Sequence, residues 1–190
     1  MPEDAFKIHG FSTNFLKDKS IQSAQLDTEI LMSKAINKNR EYIILNHDKA
    51  LNEENLKYFK KLIQERATKK PIAYILNKKF FWKNEFYVNK NTLIPRPDTE
   101  IIVEQILKVT KNKNNLRILD IGVGSGCILL SILKEKKNFY GTGIDISKNS
   151  LDISRINAKK LFVDERVKFF QSDVDKFDQG KYDLIVSNPP

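Results

Sequence analysis

Cysteine, histidine and long apolar runs are scarce in this sequence of 190 residues. The single cysteine, Cys127, cannot form an intramolecular disulfide, which favours a reducing compartment such as the cytoplasm. The two histidines, His9 and His47, have no partners at the spacing of metal ligands, so no metal site is predicted. No apolar run approaches the ~18–20 residues that span a membrane, and residues 1–10 lack the apolar core of a secretory signal. These absences predict a cytoplasmic protein that is neither secreted, membrane-spanning nor metal-dependent.

The charge of the chain is strongly basic, with a formal net charge of +9 at pH 7. A hydrophobic fraction of 41% and a charged fraction of 30% are typical of a globular chain and not of a disordered one. The positive excess is compatible with nucleic-acid binding, but the lysines are scattered. One predicted helix carries a basic face that is either a solvated surface or a docking surface for an acidic protein or RNA. This face comprises Lys57, Lys60, Lys61, Arg66, Lys69 and Lys70.

The first part of the chain, residues 1–70, shows only helical periodicity, which predicts a small helical domain. Ser20 or Ser23 is expected to cap a first helix, and a short helix should follow over residues 42–45. Asn52 opens a longer amphipathic helix, which should end before Pro71. The residues expected to be buried on the first and last of these helices are Leu26, Ile30, Leu31, Leu56, Phe59, Leu62, Ile63 and Ala67.

Two further regions follow the helical domain. Residues 71–92 alternate aromatic and polar side chains between turn formers, which predicts a β-hairpin linker. Residues 93–190 show the pattern helix, strand, helix, strand, helix, strand, strand. Alternation of this kind predicts an α/β fold with a parallel, doubly wound sheet, of which the chain contains four strands.

A glycine-rich turn joins the first of these strands to the next helix, in the sequence Leu119 to Gly126. A strand, a glycine-rich turn and a helix in that order form the nucleotide-binding entry of a doubly wound sheet. The spacing here is Gly-x-Gly-x-Gly, which suits a ligand without a pyrophosphate, such as S-adenosyl-L-methionine. Cys127 at the start of the helix is interpreted as a packing residue and not as a reactive thiolate. The predicted cofactor-binding residues of the turn are Gly122, Val123, Gly124, Ser125 and Gly126.

The ends of the next two strands carry acidic residues. Asp145 follows the glycine turn by about 20 residues, the offset of an acid that binds ribose hydroxyls. Asp173 follows the third strand, where its carboxylate is expected to accept the adenine amine while Val174 packs on the ring. Because ligands of open α/β sheets bind at the carboxyl ends of strands, these residues are expected to complete one cofactor site.

The fourth strand ends in Asn188, Pro189 and Pro190. Asn-Pro is a common turn signal, and an ordinary strand-end turn is one interpretation. The other is an active-site turn similar to that of methyltransferases acting on a planar, conjugated amino group. The Asn188 side-chain oxygen and a proline carbonyl would accept the two N–H groups of the substrate, and positioning would carry the rate. All three residues are therefore predicted as both catalytic and substrate-binding.

From about residue 20 to its end, the chain resembles the release-factor glutamine methyltransferases of the HemK/PrmC type. The most specific match is residues 93–100, Leu-Ile-Pro-Arg-Pro-Asp-Thr-Glu, which is similar to the segment leading into that family's catalytic domain. Residues 71–88 are similar to its interdomain hairpin, and residues 26–31 to its N-terminal helical motif. The resemblance implies methyl transfer from S-adenosylmethionine to the glutamine amide in the Gly-Gly-Gln loop of peptide-chain release factors. It also implies that residues 1–70 recognise the substrate, and that Arg96 and Glu100 help to close the site. The residues themselves leave a second interpretation open, since Asp98 and Glu100 beside two prolines are a helix-start signal.

Two departures from that family leave alternatives open. The aromatic residue expected after Pro190 and the last three of the family's seven strands are absent from this sequence. The 190-residue chain is therefore expected to have negligible methyltransferase activity and an exposed fourth strand, while its helical domain folds independently. The alternatives are an adenine-amine methyltransferase acting on DNA or RNA, and a non-catalytic fragment that retains only binding surfaces.

Overall fold

A computed structural model describes residues 5–46 and 51–189, with the side chains of residues 5–7 excepted. The chain divides into two compact units, Met1–Leu76 and Asn77–Pro190. None of the helices within the described ranges is long and apolar enough to cross a lipid bilayer.

The first unit is helical throughout its described residues. Sequence periodicity missed its first helix, and the helix before the second unit lies where the predicted hairpin was expected to begin. Its core is formed by apolar side chains of several helices, among them Leu16, Leu31, Phe59 and Leu62. The helices are α1 (Ala5–Asp18), α2 (Ala24–Ile36), α3 (Arg40–Leu45), α4 (Glu53–Ala67) and α5 (Ile72–Leu76).

Helix α2 buries Leu31 as the apolar pattern predicted, but the rest of its buried face differs from the prediction. Leu26 was expected to be buried but is 44% exposed, whereas Asp27 and Glu29 are buried. The Asp27 carboxylate accepts a hydrogen bond from Arg66 Nε over 2.7 Å, and Glu29 pairs with Arg40. Because a buried charge is tolerated when it is paired, these two ion pairs permit the acidic face of α2 to point inward.

Helix α4 forms as predicted, but its basic face is smaller than expected. The Asn52 side chain caps the helix by accepting the Asn55 N–H over 2.7 Å, and Phe59, Leu62 and Ile63 are buried. Arg66, which was counted on the basic face, is instead largely buried against Asp27 of the same unit. Its charge serves the interior of the helical unit and is not available for docking.

A β-hairpin opens the second unit, although it is shorter than predicted. Strands β1 (Lys78–Phe81) and β2 (Asn84–Tyr87) pair in antiparallel fashion. Phe81 and Phe86 pack edge to face with ring centroids 6.1 Å apart. Both rings are buried in the core of the second unit, so the hairpin is part of that unit's packing.

The predicted α/β fold is confirmed. Four parallel strands lie in the order β5-β4-β3-β6, with helices following or preceding them in the predicted alternation. The strands are β3 (Arg117–Ile121), β4 (Tyr140–Asp145), β5 (Val167–Gln171) and β6 (Leu184–Ser187). The helices are α6 (Glu100–Val109), α7 (Cys127–Glu135) and α8 (Lys148–Lys160).

The strand order reverses at β3, which lies between β4 and β6. Chain connections leave this point in opposite directions, and ligands of doubly wound sheets bind in the crevice at the carboxyl ends of such strands. Close packing of α7 on β4 requires glycine at Gly141, because an added Cβ would lie 2.9 Å from Leu129 Cδ1. Whereas a helix packs closely on β4 at Gly141, β6 has an apolar side chain that is left uncovered among the described residues, since Ile185 is 62% exposed.

Candidate active site

The strand register brings the predicted site residues to one edge of the sheet. Ile121 is paired with Ser187 of β6 on one side and with Ile144 of β4 on the other. Gly122, Asp145 and Asn188 therefore lie at the same level, at the carboxyl ends of three adjacent strands. The Ser187 hydroxyl also donates to the Ile121 carbonyl over 3.0 Å, which fixes the end of β6 against β3.

The glycine turn is held by backbone hydrogen bonds to β4. The amides of Gly122 and Val123 both donate to the Ile144 carbonyl, over 2.9 and 3.0 Å. Gly126 ends the turn with φ = +80°, and an added Cβ there would lie 2.7 Å from Leu130 Cδ1. Glycine is therefore required at this position by backbone conformation and by space.

Asp145 connects the glycine turn to the start of α8. One carboxylate oxygen accepts the Gly124 N–H over 3.0 Å and the other accepts the Ser147 N–H over 2.8 Å. Each oxygen has a second lone pair, so these two bonds do not use up the accepting capacity of the carboxylate. Asp145 is therefore a structural residue of the turn, and its predicted contact with a ribose stays a prediction.

Asp120 belongs to the same region and was not predicted as a site residue. It lies near the carboxyl end of β3 and is only 2% exposed. The pKa of this carboxyl is raised to about 7, mainly by burial and to a smaller extent by the negative charge of Asp145, while a hydrogen bond from the Leu129 backbone lowers it. A carboxyl with a perturbed pKa near the carboxyl end of a strand is a candidate for a functional role. The signal in the sequence was an acid within a run of apolar residues, two positions before the first glycine of the turn.

The end of β5 is more open than the glycine turn. The Asp173 side chain accepts the Asp175 N–H over 3.3 Å and caps a short 3₁₀ turn, so it is held near the strand end. Val174 is 49% exposed, and Ile146 at the end of β4 is 73% exposed. Ile146 was not predicted, but an exposed apolar side chain next to Asp145 suits a planar apolar ring. Recognition of adenine by Asp173 and Val174 stays a prediction.

Asn188 and Pro189 are exposed at the end of β6, and Pro190 lies outside the described residues. The Asn188 amide nitrogen lies 3.4 Å from the Thr99 hydroxyl. This long contact brings the strand end next to the segment of residues 93–100, the stretch most similar to the family named above. The structure thus places two separately predicted motifs side by side.

Glu100 and Arg96 of that segment differ in their surroundings. Glu100 accepts the backbone N–H of Trp82 over 2.8 Å and so fixes the hairpin turn, where Trp82 has φ = +55°. This contact favours the structural interpretation of Glu100, while Arg96 is exposed. Cys127 packs against the hydrophobic core, and burial raises the pKa of its thiol to about 12, which disfavours a reactive thiolate.

A cleft of about 550 Å³ lies elsewhere on the sheet. It is lined by Arg117, Tyr140 and Val167, which are the first residues of β3, β4 and β5, together with Tyr182. Because the site residues follow the last residues of the strands, this cleft is separate from the candidate active site.

Two family models match the chain. One describes a PrmC N-terminal domain and matches residues 11–76, and the other describes a methyltransferase small domain and matches residues 97–190. A release factor glutamine methyltransferase of Leptospira interrogans is 38% identical, over all of this chain and 68% of that protein. A release factor glutamine methyltransferase of Buchnera aphidicola is 42% identical, over 90% of this chain and 61% of that protein. The chain thus spans roughly two thirds of these relatives.

Several solved methyltransferase structures are similar to about half of this chain. An RNA methyltransferase from Salinibacter ruber in complex with S-adenosyl-L-homocysteine is 24% identical, with a TM-score of 0.44. The similarity covers 50% of this chain and 60% of that one.

A parallel sheet with a glycine turn at its switch point, together with the matched methyltransferase domain, defines the class as an α/β methyltransferase. Within that class, the chain belongs to the release factor glutamine methyltransferase family. The resemblance seen in the sequence is therefore confirmed.

Proposed function

We propose that the carboxyl edge of β3, β4 and β5 binds S-adenosylmethionine, which supplies an electrophilic methyl group on a sulfonium. The turn of residues 122–126 holds the methionine tail, Asp145 holds the ribose, and Asp173 with Val174 holds the adenine. Support comes from the strand register, which brings the ends of β3, β4 and β5 to the same edge of the sheet, and from the exposed apolar side chains beside them. The acids Asp120 and Asp145 make this edge negative when charged, which suits a cationic cofactor.

We further infer that the methyl acceptor is the side-chain amide of a glutamine in a peptide-chain release factor. An amide nitrogen is a poor nucleophile because its lone pair is delocalised, so it needs acceptors for both N–H groups. The Asn188 side-chain oxygen and the Pro189 carbonyl are suited to this role, because both accept hydrogen bonds and proline has no backbone N–H that would compete for them. One observation carries the proposal: Asn188 follows β6 directly beside the glycine turn of β3, at the switch point.

The test uses a polypeptide with the full length of the relatives, because the chain spans only part of them. Methyl transfer is measured to a release factor carrying the Gly-Gly-Gln loop and, separately, to adenine-containing DNA and RNA. Asn188→Ala should lower the rate constant for transfer by about 100-fold, the typical effect of removing one preorganised hydrogen-bonding group. Cofactor affinity should stay within about twofold, because the lost contact is to the reacting nitrogen.

Asn138→Ala provides a matched control, since Asn138 is an exposed asparagine that bonds Asn114 within the same unit. Its rate should equal that of the parent protein. Methylation of adenine without methylation of the release factor would show that the substrate class is wrong. Equal loss of cofactor binding and turnover in Asn188→Ala would make Asn188 a cofactor or folding residue.

A further inference from the structure

Helix α8 buries three polar side chains along one face. Ser150, Ser154 and Asn157 follow the spacing i, i+4 and i+7, so they lie on the same side of the helix. Ser150 is 5% exposed, and Ser154 and Asn157 are both 0% exposed. Polar groups are buried at such positions only when they are hydrogen-bonded, so the partners of this polar stripe show what it does.

Two members of the stripe hold consecutive carbonyls of the glycine turn. The Ser154 hydroxyl donates to the Gly124 carbonyl over 2.7 Å, and Asn157 Nδ2 donates to the Ser125 carbonyl over 2.9 Å. Ser150 differs from them, because its hydroxyl donates to the Asn91 carbonyl over 2.9 Å and does not contact the turn.

Asn157 also binds the hairpin. Its Oδ1 accepts the Tyr87 N–H over 2.7 Å, and its Nδ2 donates to the Tyr87 carbonyl over 3.0 Å. One side chain therefore bonds both backbone groups of a β2 residue and the Ser125 carbonyl. The hairpin and the glycine turn are connected through this single amide.

Fixing a carbonyl also fixes the amide on the other side of the peptide plane. In a trans peptide the C=O and the following N–H point in opposite directions. The hydrogen bond between the Gly124 carbonyl and α8 therefore directs the Ser125 N–H away from α8. In the same way, the bond to the Ser125 carbonyl directs the Gly126 N–H away from α8. The Gly126 N–H is taken by the Val123 carbonyl over 2.8 Å, whereas within residues 5–46 and 51–189 no acceptor takes the Ser125 N–H.

We propose that Ser154 and Asn157 are positioning residues of the cofactor site, which keep the carbonyls of the glycine turn away from the ligand and its Ser125 amide toward it. Asn157 additionally makes the position of the turn depend on the hairpin. The direction of the Ser125 amide follows from the peptide geometry, and its role toward S-adenosylmethionine rests on the function proposed above.

The experiment compares Ser154→Ala with Ser150→Ala in the 190-residue chain. Both changes remove one buried serine hydroxyl from the same face of α8 and break one side-chain to backbone bond. Hydrogen exchange of the amides of residues 122–126 is measured by NMR, and S-adenosylhomocysteine binding is measured by calorimetry. Ser154→Ala should speed exchange of these amides and weaken binding about fivefold, the effect of one ordinary hydrogen bond. Ser150→Ala should change neither quantity by more than about twofold at a similar loss of thermal stability.

A second variant, Asn157→Ala, should speed exchange both in the turn and at the Tyr87 amide, because one side chain holds both. Equal exchange and equal affinity in the Ser154 and Ser150 variants would overturn the positioning role and leave only a packing role. If the unmodified chain does not bind S-adenosylhomocysteine, the proposed cofactor is wrong. The exchange measurements decide the positioning of the turn in that case too.

Discussion

Asp145→Ala is the substitution that most directly tests the cofactor site. The carboxylate of Asp145 has two functions in our interpretation. It accepts the amides of Gly124 and Ser147, over 3.0 and 2.8 Å, and it offers its remaining lone pairs to the ribose hydroxyls. Removing the carboxylate should therefore weaken S-adenosylmethionine binding both directly and through the turn.

The expected loss follows from the energy of hydrogen bonds to a charged group, which is about 1.5–3 kcal/mol. Since about 1.4 kcal/mol corresponds to a tenfold change in affinity, the dissociation constant should rise by roughly 10- to 150-fold. Asp145→Asn should fall between the parent and the alanine variant. Asparagine keeps one accepting oxygen, but its amide nitrogen cannot accept the second backbone N–H.

The assay is isothermal titration calorimetry with S-adenosylhomocysteine and S-adenosylmethionine, after urea denaturation has shown that each variant is folded. Asp152→Ala is the matched control, because Asp152 is an exposed acid on α8 that pairs with Arg155. Affinity in that control should stay within about twofold. An unchanged affinity in a folded Asp145→Ala protein would refute the assignment of this residue to the cofactor.

Three further predictions concern stability and association. Because the pKa of Asp120 is raised from 3.8 to about 7, mainly by burial, the folded form binds more protons than the unfolded form, and the contribution of Asp120 to stability falls as pH rises from about 4 to 7. Asp120→Asn should flatten this fall when stability is measured by urea denaturation at several pH values, and an unchanged slope would contradict the argument. Arg66→Ala leaves the buried Asp27 without its ion-pair partner and should destabilise the first unit by about 3–5 kcal/mol, whereas Lys61→Ala, at an exposed position, should cost less than about 0.5 kcal/mol. Equal midpoints of urea unfolding in the two variants would contradict the internal role of Arg66. Within the described residues β6 pairs only with β3, so its other edge has unpaired backbone groups that can bind a second chain. The 190-residue chain should therefore self-associate in analytical sedimentation, and Ile185→Lys should reduce this association. A monomeric parent chain would contradict the prediction.

The parallel sheet was predictable because its strands are short apolar runs separated by turn formers and helical patterns. Strand β4 ends at Asp145 and strand β5 ends two residues before Asp173, in agreement with the predicted order of strands and acids. The candidate site residues could be proposed for a related reason, since a glycine turn and acids at the ends of strands leave a local pattern in the sequence. Parallel pairing of the strands is enough to bring these residues to one edge of the sheet, whatever their side chains contact.

Features that depend on contacts distant in sequence were not predictable. Helix α2 turns Asp27 inward because Arg66 lies against it, and these residues are 39 positions apart. No periodicity shows which acid will find a partner at that distance, so Leu26 was wrongly expected in the core. The roles of Ser154 and Asn157 were hidden for the same reason, because a polar residue within a helix is ordinarily expected to face solvent.

The two halves of the candidate site differ in how firmly the described residues hold them. The cofactor half is bound internally, since β4 and α8 together hold the backbone of the glycine turn at Gly122, Val123, Gly124 and Ser125. The substrate half depends on the exposed Asn188, for which the contact is a single long approach to a hydroxyl. Preorganisation lowers the cost of binding, and catalysis needs its groups held close to the reacting geometry. We therefore expect cofactor binding to need little further ordering of the glycine turn, and methyl transfer to need the end of β6 to be fixed as well.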